Sequence, residues 1–326
     1  MAWMLGPMVA NIVASLRGWP VLIPNQARNS VLAVVGVFLG GSFTPDLLDR
    51  AGDWMLSLSM MVIFIPMITV LAGWYYHRWA GFDLSTSVFS GAPGTMTAMV
   101  IIGEASGADE RMIALTQGLR VVIVVLLMPL LVVYILGVSG SGTSALSQGS
   151  PPGILDVVFL GIAASAGFGL AKLLRFPASA MTGAMVTSAT LYLFGVVEWR
   201  PPDVLLWVCL WILGSAVGSR YSTVTTRTFF RISKHAVIAT ALIMCATAVF
   251  SGAVTQLTGT PYLTALASFT PGGVAEMCII AITFDIDPAF VAVHHLARIA
   301  LLITVAPVVA SLLLRKEGSK NSSVER

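Results

Sequence analysis

The chain is poor in charge. Asp, Glu, Lys and Arg together make only 10% of its 326 residues, against roughly a quarter in a soluble domain, which must cover itself with solvated side chains. That shortage excludes an ordinary water-soluble enzyme. Metal chemistry lacks its material too. There are four histidines and three cysteines, and Cys209, Cys245 and Cys278 each sit alone in an apolar stretch without a CxxC pair. Neither a disulfide framework nor a zinc site follows. His294 and His295 are adjacent, hence about 100° apart on a helix, and do not form a chelating pair. No basic run is long enough for nucleic acid, because Lys and Arg fall at the ends of apolar stretches. Met1 leads straight into apolar sequence without the charged n-region of a signal peptide.

Apolar sequence dominates instead. Hydrophobic residues make 57% of the chain, and the mean hydropathy is +0.90. Such a chain needs a solvent that accepts apolar surface, and a bilayer is that solvent. Apolar segments predict helices over 1–16, 24–43, 54–76, 109–136, 154–174, 178–194, 203–219, 235–256 and 287–314, with broken segments over 84–104 and 261–284. The domains expected are membrane repeat one (1–137), a polar Gly/Ser-rich linker (138–153), membrane repeat two (154–314) and a polar, disordered tail (315–326).

The two halves are copies of one unit. A slide of 178 residues lays 93–129 on 271–307 without a gap, and nine of these 37 positions are identical, among them Pro93/Pro271, Gly94/Gly272, Asp109/Asp287 and Arg120/Arg298. Shared hydrophobicity explains Ile on Ile; it does not explain Pro-Gly, Asp and Arg in one register. Gly36/Gly214 and Gly40/Gly218 obey the same shift. Nearer the start, MLGPMV (4–9) lies on MTGAMV (181–186) with a shift of 177. Repeat two has a helix ahead of this point, 154–174, whose partner would precede Met1. The first helix of repeat one is therefore expected to be missing.

Charge sets the expected topology. If the broken segments crossed the membrane, Lys and Arg would split evenly. If each is a re-entrant hairpin, fourteen gather on one side, and only Arg50 and Arg200 lie on the other, beside Asp46, Asp49, Asp53, Glu198 and Asp203. The bias selects the hairpins. The fold class expected is all-α integral membrane: two inverted repeats, each of about five transmembrane helices plus a re-entrant Pro-Gly hairpin.

The breaks carry the candidate site. Irregular backbone at membrane depth must be buried in protein or line a wet cavity. Pro93-Gly94-Thr95 and Pro271-Gly272-Gly273 stop one half-helix and expose the N-terminus of the next, whose free N–H groups suit an anion. The following helix carries Gln117 and Arg120, or His295 and Arg298, on one face. A mid-membrane Arg costs at least about 2.5 kcal/mol unless partnered. The two arginines either bind an anionic substrate or satisfy carbonyls freed at the breaks. Glu276, opposite Ala98 in repeat one, either couples an ion or caps its half-helix. Asp109 and Asp287 complete the candidate ion-coupling set.

PGG-x-AEM followed by a D…(H/Q)xxR helix, duplicated, with GVFLGG and GSAVGS helices upstream, resembles the AbrB family of bacterial membrane proteins, the AbrB duplication family. The resemblance covers essentially the whole chain. It departs at Ala92-Pro93-Gly94-Thr95, where the family usually has PGG. The labels of its members include regulator of gene expression and ammonia monooxygenase. The oxygenase label finds no support, since no His/Cys/carboxylate cluster could hold copper or iron. The repeat is also similar to that of secondary carriers of small carboxylates.

Together these readings imply a multi-pass protein of the bacterial inner membrane. The function expected is secondary transport of a small anionic solute coupled to H⁺ or Na⁺. The alternative is a membrane-embedded regulator of gene expression or sensor on the same scaffold. No nucleophile–base pair suggests an enzyme, and no cofactor is implied. The partners expected are the solute and the lipid bilayer, with a homo-oligomer left open.

Overall fold

The structure is a computed structural model that describes residues 2–19, 21–45, 51–135, 137, 153–221 and 226–324. Of the linker 138–153 only Gly153 is among them. Met1, Asp46, Asp49 and Arg50 also lie outside the described residues.

Every regular element among the described residues is helical. The α-helices, in chain order, are α1 Ala2–Leu16, α2 Asn25–Gly40, α3 Trp54–Trp79, α4 Leu84–Gly91, α5 Met96–Glu104, α6 Glu110–Leu130, α7 Ile154–Leu173, α8 Ser179–Leu193, α9 Asp203–Gly218, α10 Thr226–Thr258, α11 Tyr262–Phe269, α12 Val274–Thr283 and α13 Pro288–Val324. Six are long and apolar enough to cross a membrane, namely α3, α6, α7, α9, α10 and α13. The others expected as crossings, α1, α2 and α8, have only 15, 16 and 15 residues, short of the roughly 20 that a straight crossing needs. Ile154 and Val249 stay 84% and 78% exposed, a surface that suits lipid and not water.

Two boundaries differ from expectation. Helix α10 starts nine residues before His235, at Thr226. The segment TRTFFRISK is polar on one side and so escapes a search for apolar runs. Helix α13 continues through the polar tail to Val324, where disorder was expected. Arg315, Lys316 and Glu317 are good helix formers that extend an existing helix without a new nucleus.

Local chemistry explains the helix starts. The Asp83 carboxylate accepts from the Thr86 N–H at 2.8 Å. Asp109 accepts from the N–H groups of Arg111 and Met112 at 2.9 and 3.2 Å. Asp287 accepts from those of Ala289 and Phe290 at 3.1 and 3.0 Å. All three are side-chain N-caps. The breaks form where Ala92 and Thr95, and Thr270 and Gly273, leave helical geometry with ψ between 127° and 146°. Proline denies the ladder its N–H at each break.

The 178-residue register recurs in three dimensions. Gly107 and Asp285 sit in the same left-handed turn, with φ of 76° and 54°, where glycine and aspartate are the tolerated types. A Cβ on Gly94 would meet Met99, and one on Gly272 would meet Met277. The upstream glycines show an exchange. Gly36 of α2 packs against the Met181 backbone of α8, and Gly214 of α9 packs against the Met4 backbone of α1. Each half thus supplies the helix that the other half's glycine face needs. Gly167 of α7 and Gly183 of α8 meet backbone to backbone, beside the Thr187 hydroxyl, which donates to the Ala163 carbonyl at 2.7 Å.

The result is two packed groups, neither of them a repeat. One contains α1, α2, α7, α8 and α9; the other contains α3 to α6 and α10 to α13. Helix α2 touches α12 and α13 across the seam.

Candidate functional site

Both breaks end at one cavity of about 390 Å³ on that seam. Its floor is Gly94, Thr95 and Met96 on one side and Gly272, Gly273 and Val274 on the other. Gln117, Arg120, Glu276 and Arg298 also line it. The expected site residues therefore converge, with exceptions. Pro93, Pro271 and His295 stand behind the lining, and Asp109 and Asp287 cap helices α6 and α13 away from it. Asp109 lies instead at the base of its own broken segment, where its N–H donates to the Thr86 hydroxyl at 2.8 Å.

The arginines satisfy the carbonyls that the breaks release. The Nη1 of Arg298 donates to Thr270 O at 2.9 Å, and its Nη2 donates to Gly272 O at 3.0 Å and to the His295 Nδ1 at 2.9 Å. The His295 Nε2 donates to Ala267 O at 3.1 Å, which leaves Nδ1 as the acceptor that Arg298 needs. Repeat one makes the same pattern more loosely. Arg120 Nη1 donates to Gly91 O and Ala92 O at 3.4 and 3.3 Å. Gln117 Nε2 donates to Phe89 O at 2.7 Å.

These bonds do not exhaust the site. Arg120 and Arg298 are 4% and 2% exposed, yet the Nε of each has no partner, nor has the Gln117 Oε1. The two guanidinium groups lie within electrostatic reach of each other. Among the described residues, neither has a carboxylate within ion-pair distance. Neither half-helix, α5 or α12, has a side-chain cap hydrogen bond; the first N–H groups of α5 remain available, while the Glu276 carboxylate lies over the start of α12.

Two lining arginines and an asparagine are among the residues not foreseen. Asn25 and Arg28 of α2 and Arg220 of the turn after α9 close the cavity from the other group. Arg28 is within electrostatic reach of both Arg220 and Glu276. The lining thus carries four arginines against one glutamate. Basic residues near helix ends read in sequence as orientation signals, which hid these two. A second cavity of about 570 Å³ shares Met96 and Arg220 with the first and extends to Glu110 and Arg111. No group of three or more His, Cys, Asp or Glu suited to a metal occurs among the described residues.

Long apolar helices around paired helix breaks define a polytopic, helical protein of membrane type. Comparison with known proteins gives the family. Residues 3–314 match the family model of AbrB, described as transition state regulatory protein AbrB, and the chain belongs to the AbrB family. It is 28% identical over 341 residues to the "Uncharacterized protein YhjN" of Bacillus subtilis (strain 168), covering 98% of this chain and 88% of that protein. It is 23% identical over 313 residues to the "Putative regulator AbrB" of Escherichia coli (strain K12), covering 96% of this chain and 90% of that one. No solved structure matches the chain significantly.

Proposed function

We propose that this chain is a secondary transporter of a small organic anion in the bacterial plasma membrane, coupled to H⁺ or Na⁺. One observation carries the reading: Arg120 and Arg298 face one cavity without a carboxylate partner, each with an unpartnered Nε. Two buried like charges are costly. An anion between them removes that cost, and the N-terminus of α5, which has no side-chain cap, adds a favourable dipole. The cavity volume falls within the range of small-molecule sites.

In this reading α4–α5 and α11–α12 are re-entrant hairpins of inverted repeats, inserted from opposite faces so that their breaks meet near mid-membrane. The hydrogen bond between Asp109 and Thr86 supports the first, since it brings the two ends of the segment together. Glu276 is the coupling carboxylate. Binding and movement suffice as the activity, and no chemical conversion is invoked.

The test is uptake into proteoliposomes, screened over organic anions with imposed H⁺ or Na⁺ gradients. Gradient-dependent uptake of an anion is expected. Tight binding without any flux would instead favour a membrane-embedded regulator, the role that the name of the Escherichia coli relative carries.

A further inference from the structure

The two halves of the cavity solve the same problem differently. In repeat two His295 uses both ring nitrogens, one on Ala267 O and one on Arg298. Nothing on it remains for a ligand. In repeat one Gln117 holds Phe89 O at 2.7 Å and Ala92 O at 3.4 Å through Nε2 alone. Its Oε1 is left without a donor, although Gln117 is 2% exposed and lines the cavity. The amide cannot turn over, because that would set Oε1 against two carbonyl oxygens. Beside it, Arg120 is held by two contacts of 3.3 and 3.4 Å, where Arg298 has three of 2.9 to 3.0 Å. Repeat one therefore holds, just beneath the cavity lining, an unmet acceptor next to an unmet donor, and repeat two holds a donor only.

We infer that Gln117 and Arg120 form the specificity subsite, and that the solute is a small carboxylate bearing an adjacent O–H or N–H donor. Its carboxylate takes the Arg120 Nε–H, and its hydroxyl or amino group donates to the Gln117 Oε1. A carboxylate without that donor leaves a buried acceptor unpaired, and such a site discriminates strongly between the two. This inference rests on the anion-binding reading above and names the class of anion.

Equilibrium binding to the detergent-purified full chain tests it. The probes are three matched sets: malate with succinate, lactate with propionate, and alanine with propionate. Wild type should bind the donor-bearing member of at least one set roughly ten- to a hundredfold more tightly. Gln117→His installs the residue of repeat two, which can hold the Phe89 carbonyl and accept from Arg120. It should keep the melting temperature and lose most of that preference. If donor-bearing and donor-free members bind equally to wild type, or if Gln117→His keeps the full preference, the inference fails and the anion site stands. If none of the probes binds, both fail.

Discussion

The carboxylate of Glu276 lies where a side chain on Gly273 would begin. The glutamate folds back over the start of α12, and only glycine leaves room for it. In repeat one the equivalent pair is Thr95 and Ala98, where there is no carboxylate to admit. Gly273 and Glu276 thus work as a unit, which explains why one break carries PGG and the other PGT.

Gly273→Ala should therefore push the Glu276 carboxylate aside. The displaced atoms are the end of a flexible side chain, so the melting temperature should hardly move, with a cost of no more than about 1 kcal/mol. Flux should lose its dependence on the coupling ion, as it should in Glu276→Gln. Flux that keeps full ion dependence in both variants would remove Glu276 from the coupling role.

The arginines should separate stability from binding. Arg298→Ala leaves the Gly272 carbonyl and the His295 Nδ1 without their donor, at about 1–3 kcal/mol for each buried group left unpaired, while the Thr270 carbonyl keeps the Gly272 N–H at 2.9 Å. Arg120→Ala gives up two long contacts and should cost less. In detergent Arg298→Ala should melt lower than Arg120→Ala, while Arg120→Ala should weaken anion binding more. A reversed order would mean that the two tips share their roles differently.

Packing predicts a sharp contrast among glycines. A methyl on Gly36 or Gly214 would strike backbone of the opposing helix, which cannot step aside, so alanine at either should cost at least about 1–3 kcal/mol. Gly161, Gly169 and Gly252 have nothing near the site of a Cβ. Alanine there should be neutral or stabilise by up to about 1 kcal/mol. Melting temperatures of the five variants decide the matter, and equal losses at all five would refute the exchanged helix packing.

Single cysteines test the topology in a background without Cys209, Cys245 and Cys278. Cysteines at Gly81 and Gly107 should be labelled from one face of the membrane, and those at Gly259 and Asp285 from the other. Labelling Gly81 and Gly107 from opposite faces would turn the first hairpin into a crossing and undo the inverted arrangement.

Much of this was legible in the chain because backbone-breaking residues and buried charge are expensive in lipid. Pro93-Gly94 with Arg120, and Pro271-Gly272 with Arg298, could be placed at equivalent mid-membrane positions by their register alone. The carbonyl partners of the arginines were also foreseeable, since a broken helix must release them. What lay hidden depends on how side chains are aimed. Nothing in the sequence says that His295 is saturated and Gln117 is not, or that Arg120 is held loosely. Arg28 and Arg220 read as orientation charges until the fold brought them to the cavity that Glu276 lines. Asp109 and Asp287, expected in the ion-coupling set, cap helices α6 and α13.

The seam between the helix groups has a mechanical consequence. Arg120, Arg298 and Glu276 ride on one body, and Arg28 and Arg220 on the other. A sliding or rocking of the bodies would carry both breaks together, with the arginine pair and anything held between them as undivided cargo. The electrostatic attraction between Arg28 and Glu276 acts across the sliding surface, so such a movement would be opposed while Glu276 is charged. The stroke would then be timed by whatever neutralises Glu276, so that the groups that hold the cargo and the group that releases the brake are different side chains.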